Sequence, residues 1–268
     1  MSADQRKPLD TTALRSALAA PWRQLDVVTE TGSTNADLLA RAAAGEAIAG
    51  SVLLAEFQNS GRGRHGRSWS APPRSQIAMS VGVSTDGVPS DSWGWLPLLT
   101  GVAVVDALAA TSEVSAGLKW PNDVLVGTGK LAGILAEVAA ASSEIVVGLG
   151  LNVSLSADEA PDPRATSLTV LGATVDRTVL VANILAALST RIGQWRAAGG
   201  ADEVLIRDYR KHSLTVGSQV RASLPGDRSI VGQATDIDGF GRLLIDRGGE
   251  MTAVAAGDIT HLRPADSA

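Results

Sequence analysis

Hydrophobic and polar positions divide this chain into two textures. Up to about residue 213, helical and strand periods alternate; beyond Leu214, short apolar runs are separated by turn signals. Residues 12–20 read as a short helix closed by Pro21, and residues 25–28 as a first strand. Ser33 or Thr34 can cap a helix whose Leu38, Leu39 and Ala42 share one face and whose stop is Gly45. An apolar strand over 51–57 and one of alternating character over 75–83 follow, then a helix over 96–110. The runs 123–126, 130–138 and 145–153 lie too close together for crossover helices, which predicts antiparallel or mixed pairing. A long helix over 179–195 places Leu180, Ile184, Leu188, Ile192 and Trp195 on one stripe and ends at Gly199-Gly200; a last helix spans 202–212.

In the remaining segment, Pro225-Gly226-Asp227, Asp238-Gly239 and Gly248-Gly249 punctuate four or five short strands. The expectation is an α+β fold with a mixed or antiparallel sheet over residues 1–213 and a small β-barrel of SH3 size over 214–268. Residues 96–110 include Pro97, Gly101 and Asp106 and fall short of the roughly 18 apolar residues of a membrane span, so they read as a buried helix. No membrane association is expected. The first ten residues show no apolar signal core, so a cytoplasmic address is expected.

Charge and composition narrow the chemistry. The 268 residues carry 23 Lys+Arg against 28 Asp+Glu, a balance that argues against a broad nucleic-acid surface. There is no cysteine, which excludes disulfides, thiolate metal sites and a covalent thioester on this chain. His65, His212 and His261 are too widely spaced to suggest a metal-ligand pattern.

Against this acidic background, Gly61-Arg62-Gly63-Arg64-His65-Gly66-Arg67-Ser68-Trp69 stands out as an anion-gripping loop. Its glycines let backbone N–H groups approach closely, its guanidinium forks match phosphate or carboxylate oxygens, and its indole offers a stacking face. Gly61, Gly63 and Gly66 also fit a dinucleotide fingerprint, with Asp86 twenty residues beyond Gly66. That fingerprint must open a helix, however, and here Ala71-Pro72-Pro73 and a strand follow. No G-x-x-x-x-G-K loop occurs. A solvated basic loop or an RNA-contacting segment is the remaining alternative.

Three further clusters are each ambiguous alone. Lys119-Trp120-Pro121-Asn122-Asp123 is a site or a structural turn with Asp123 capping backbone groups. Lys130, opening Lys130-Leu131-Ala132-Gly133-Ile134-Leu135, is a site residue or a solvated strand-edge guard. Gly148-Leu149-Gly150-Leu151-Asn152 marks either a bulge or a close approach to the strand.

The order of these motifs is more specific than any one of them. Gly32-Ser33-Thr34-Asn35, then Gln58 with the Gly-Arg loop, then Lys119-Trp120-Pro121-Asn122-Asp123, Lys130 to Leu135 and Gly148 to Asn152, resembles the biotin protein ligases over residues 30–153. The resemblance implies a class II synthetase-like catalytic domain, with the β tail similar to that family's C-terminal domain. It also implies two-step chemistry: ATP and Mg2+ activate biotin to biotinyl-5'-AMP with release of pyrophosphate, and biotin then passes to a lysine of the biotin carboxyl carrier protein or domain of an acyl-CoA carboxylase. By the same resemblance Ser33, Thr34, Asn35, Gln58, Gly61, Arg62, Arg64, Lys130 and Gly133 bind biotin. Arg64, Arg67, Trp69, Lys119, Asn122, Lys130 and Asn152 face ATP; Lys130, Arg64 and Arg67 are the catalytic cations, and Asp123 is the one candidate metal ligand. Bifunctional members carry an N-terminal DNA-binding domain; with only about 25 residues before the first strand, the monofunctional type without DNA binding is expected here. Lipoate protein ligase is the nearest rival, an RNA-binding module a more distant one, and a free sheet edge leaves self-association open.

Overall fold

The computed structural model describes residues 6–140, 143–224, 228–255 and 257–261. Seven strands form a mixed sheet in the order β1-β2-β3-β7-β6-β5-β4: β1 Gln24–Val28, β2 Ser51–Ala55, β3 Gln76–Ser84, β4 Gly117–Lys119, β5 Asp123–Val126, β6 Gly129–Val138 and β7 Glu144–Asn152. Among the strands of this sheet only β1 and β2 pair in parallel, because α2, Thr34–Ala43, provides the crossover between them; the other pairs are antiparallel, with short turns joining β4 to β5, β5 to β6 and β6 to β7. Strand β4 is not among the strands that periodicity predicts, since three residues are too few to show a period.

The two faces of this sheet differ in kind. Ile77, Met79, Val81 and Val83 of β3 alternate onto the face covered by α3, Trp95–Thr111, and α4, Arg177–Ala197, where the main core lies. Helix α3 is apolar on every side and buries twelve residues, as a helix enclosed by its own protein must. Ser90–Thr111 is also long and apolar enough to cross a membrane by length and composition, but 67% of its most apolar 18 residues is buried inside the fold. The opposite face is assembled from small residues: Ala78, Ser80 and Gly82 of β3, Gly148 and Gly150 of β7, and Gly133 of β6. Strand β3 keeps the alternation seen in its sequence, yet eight of its nine residues are buried, because this second face is roofed as well.

The helices follow their capping residues. Ser33 caps α2, Asp176 caps α4, and Asp202 caps α5, Glu203–His212, accepting from Leu205 N at 2.8 Å. Helix α1, Thr11–Ser16, ends at Ser16 rather than near residue 20; Ala20, which precedes Pro21, is disfavoured from helical backbone. Strand β2 stops at Ala55, after which Glu56 turns inward and pairs with Arg177 at 2.8 Å.

Beyond α5, β8 Gln219–Leu224, β9 Arg228–Ile237, β10 Leu243–Asp246, β11 Met251–Val254 and β12 Asp258–His261 form an antiparallel sheet in the order β11-β10-β9-β8-β12. Gly248 and Gly249 turn at φ 82° and 102° between β10 and β11, as the Gly-Gly signal predicts; the expected turn at Pro225-Gly226-Asp227 lies outside the described residues. The two sheets share one core. Trp95 Nε1 donates to Asp238 O at 3.2 Å and Trp120 Nε1 to Gly241 O at 2.9 Å, so buried indoles bolt the second sheet to α3 and to the β4–β5 turn.

Candidate active site

Cross-strand register brings the separated motifs into one row. Lys119 pairs with Asp123, Asp123 with Gly133, Gly133 with Gly150 and Gly150 with Ala78, so their side-chain positions share the small-residue face. Trp69 lies on this floor. A Cβ at Gly150 would overlap its indole, and one at Gly133 would come within 3.1 Å of Cζ3. Gly148 is empty for a parallel reason: a Cβ there would overlap the Asn35 carboxamide. The two glycines of Gly148-Leu149-Gly150 therefore mark close approach by side chains rather than a bulge.

Around Trp69 the charges gather at one end. The Trp69 indole N–H donates to Gln76 Oε1 at 2.5 Å, and Lys130 Nζ stands 5.5 Å from the ring centroid. Lys130 also reaches Asp123 Oδ1 at 2.7 Å, so its ammonium is paired beside the indole rather than left unpaired in solvent. Its backbone is fixed from outside the strand, donating to Arg164 O at 2.6 Å and accepting from Thr166 N at 3.0 Å. Asn152 supports that same segment by donating to Thr166 O at 2.9 Å. Desolvation by burial holds the Lys119 ammonium below its ordinary pKa; Asp123 offsets this in part, while Arg164 and Lys130 add to it.

At the other end, polar groups surround the start of α2. Gln58 Oε1 accepts from Thr34 N at 2.8 Å, and Ser33, Thr34, Asn35 and Gln58 are all buried. Arg62, largely exposed, directs Nη1 toward Glu137 Oε1 at 4.0 Å.

The Gly-Arg loop roofs the ground between these ends. It closes on itself through Trp69 N to Gly61 O at 2.9 Å, Gly63 N to Arg67 O at 2.6 Å and the Arg62–Ser68 bridge, with a 3-10 turn at Arg64–Gly66 in place of the helix a dinucleotide fingerprint requires. Arg64 reaches out of the loop to Asn122 Oδ1 at 3.1 Å and Gly257 O at 3.3 Å. Burial lowers its pKa, opposed by Asp258 and Asp123, with Arg67 lowering it further. Arg67 is largely exposed and pairs with Asp258 on β12, whereas Lys130 and Arg64 reach Asp123 and Asn122.

Sequence reasoning missed Ser80, Gln76, Glu137 and Asp258, which touch Asn35, Trp69, Arg62 and Arg67 respectively. For Ser80 and Gln76 a signal existed: both sit on the small-residue phase of β3. Nothing near Asp258 in sequence points to a loop 191 residues away.

The floor is testable as geometry. Gly150→Ala should drive the indole off its seat and cost about 1–3 kcal/mol of overpacking, read as a lower denaturation midpoint together with a higher KM for ATP. An unchanged midpoint and KM would show that the floor has room to spare.

Residues 28–152 match the biotin/lipoate A/B protein ligase family, and residues 215–262 the biotin protein ligase C-terminal domain. The chain is 54% identical over 265 residues to a biotin–acetyl-CoA-carboxylase ligase of Mycobacterium tuberculosis, covering 96% of this chain and 97% of that protein. It is 30% identical over 239 residues to the bifunctional ligase/repressor BirA of Escherichia coli, covering 87% of this chain and 72% of BirA. Among solved structures it resembles a biotin protein ligase from Aquifex aeolicus in complex with biotin and ATP, with a TM-score of 0.77 and 25% identity over 90% of this chain and all of that one.

Proposed function

The chain belongs to the biotin protein ligase family, and we propose from this premise that it activates biotin with ATP and transfers it to one lysine of the biotin carboxyl carrier of acetyl-CoA carboxylase. The observation that carries this reading is the floor itself: a donor–acceptor cluster at Thr34 and Gln58, a flat apolar strip under Trp69, and cations at Lys130 and Arg64 beyond it. A ligand with a polar ring at one end and a carboxylate at the other fits that sequence of surfaces.

In the first step the biotin carboxylate attacks the α-phosphate, forming the mixed anhydride as pyrophosphate leaves. Two anions must meet, so the electrostatic work falls to cations placed where charge builds up. Lys130 is suited to this role because Asp123 and Trp69 already hold its ammonium, so no reorganisation is needed when the ligands arrive. The nucleophile is already ionised, so no base is required, consistent with a site built without Cys or a His-centred triad. In the second step the carrier's lysine amine attacks the anhydride carbonyl and AMP leaves. Until then water must be kept out, a role suited to the Gly-Arg loop. Ser33, Thr34, Asn35, Gln58, Gly61, Arg62 and Gly133 are assigned to biotin, and Trp69, Lys119, Asn122 and Asn152 to the nucleotide.

Among the described residues no group of three or more His, Asp or Glu could hold a metal ion. Asp123, whose Oδ1 is paired with Lys130, has its second carboxylate oxygen to offer a Mg2+ carried by the triphosphate, where the ion would neutralise phosphate charge. We assign the chemistry to residues 1–213 and the loop's far anchor to 214–268, and place the reaction in the cytoplasm. Lipoate is the rival acid, and the experiment that separates the two is which acid supports ATP–pyrophosphate exchange.

A further inference from the structure

Ser80 is fully buried at the centre of the sheet, its hydroxyl 2.7 Å from Thr34 Oγ1 and 2.6 Å from Asn35 Oδ1. One hydroxyl carries one proton, so the neighbour that receives it decides what the others can offer. Asn35 settles the direction. Its amide nitrogen lies between Leu135 O at 3.1 Å and the Glu137 carboxylate at 2.7 Å, two groups that only accept, so its oxygen faces Ser80. An amide oxygen has no proton to give, and the Ser80 proton therefore goes to Asn35. The one proton of Thr34 then stays inside the cluster, shared between Ser80 Oγ at 2.7 Å and Gln58 Oε1 at 3.1 Å. Toward a ligand, the Thr34 hydroxyl is left as an acceptor. Gln58 is oriented just as firmly, because its Oε1 takes the Thr34 backbone N–H at 2.8 Å and leaves Nε2 as a donor.

We propose that Ser80 and Glu137 are positioning residues that set the sense of this relay, so that the pocket presents an acceptor at Thr34 beside a donor at Gln58, the complement of the N–H and C=O of a cyclic urea. The proposal rests on the biotin-ligase reading of the site. Neither side chain belongs to a recognisable motif. Their influence runs through Asn35, for which Gly148 keeps the space clear. Without Glu137 only the Leu135 carbonyl still holds the Asn35 amide nitrogen, so the turned-over amide, which would reverse the proton order along the chain, becomes easier to reach.

The test uses the full chain in ATP–pyrophosphate exchange, varying biotin and ATP separately, with a denaturation midpoint for each variant. Ser80→Ala and Glu137→Ala should each raise the KM for biotin about tenfold, the scale of one buried hydrogen bond. The KM for ATP and the kcat at saturating biotin should stay within about twofold, since the lost contact acts on ligand binding alone. Glu137→Gln, which keeps an acceptor opposite Asn35, should restore the biotin KM to within about threefold of the parent. Should Ser80→Ala fail to fold, the Glu137 pair decides, because that side chain is partly exposed. An unshifted biotin KM in Glu137→Ala, or equal losses in the KM for ATP and in kcat, would overturn the relay. Absence of any biotin-dependent exchange in the parent chain would instead overturn the assigned function.

Discussion

Lys130→Ala should abolish biotin-dependent ATP–pyrophosphate exchange, by at least about 10²–10³-fold, the range seen when one preorganised electrostatic stabiliser is removed. The size follows from what the ammonium does at its place. It stands 2.7 Å from Asp123 and over the Trp69 ring, at the end of the floor where carboxylate and α-phosphate are to meet. No other lysine is held between that indole and that carboxylate among the described residues. Lys130 is 35% exposed, so the ion pair itself contributes no more than about 1 kcal/mol to stability. The variant should therefore fold with a midpoint close to the parent's while losing exchange, and near-normal exchange would remove Lys130 from the chemistry.

Arg64→Gly should release biotinyl-AMP that the parent chain retains. Arg64 is the strap of the roof: from within the loop it reaches Asn122 beside β5 and the Gly257 carbonyl next to β12, joining three segments that no backbone ladder connects. Removing the side chain leaves Arg67–Asp258 and the loop's internal bonds, so the loop keeps its turn but loses its grip on the site. The expected signature is adenylate found free in solution, with biotin appearing on bystander lysines, while the first step persists. The check is to separate protein from small molecules after one turnover and measure biotinyl-AMP in each fraction. Retention equal to the parent's would show that the roof is held by other means.

Much of the fold was legible in the sequence, and the reason is local. The stripe from Leu180 to Trp195, the cap at Ser33 and the turn glycines at 248 and 249 each declare their element within a few residues. Strand β4 escaped because it owes its existence to Asp123 and Val124 across the ladder rather than to its own three residues. The site was legible as motifs but not as a surface. Lys119, Asp123, Gly133 and Gly150 lie up to 31 residues apart, and only register shows them to be one row. The small-residue floor was visible as alternation in β3, yet alternation does not say whether the lean face meets water or a roof. Ser80, Glu137 and Asp258 act through partners 45, 102 and 191 residues away, a distance at which single-sequence patterning carries no signal.

The most direct measurement is ATP–pyrophosphate exchange by the parent chain with ATP, Mg2+ and either biotin or lipoate as the only acid, followed by addition of a biotin carboxyl carrier domain. Exchange that depends on biotin and not on lipoate, with a biotinyl group then found on one carrier lysine, is the predicted result. Exchange supported by lipoate instead, or salt-dependent RNA binding without any exchange, would contradict it.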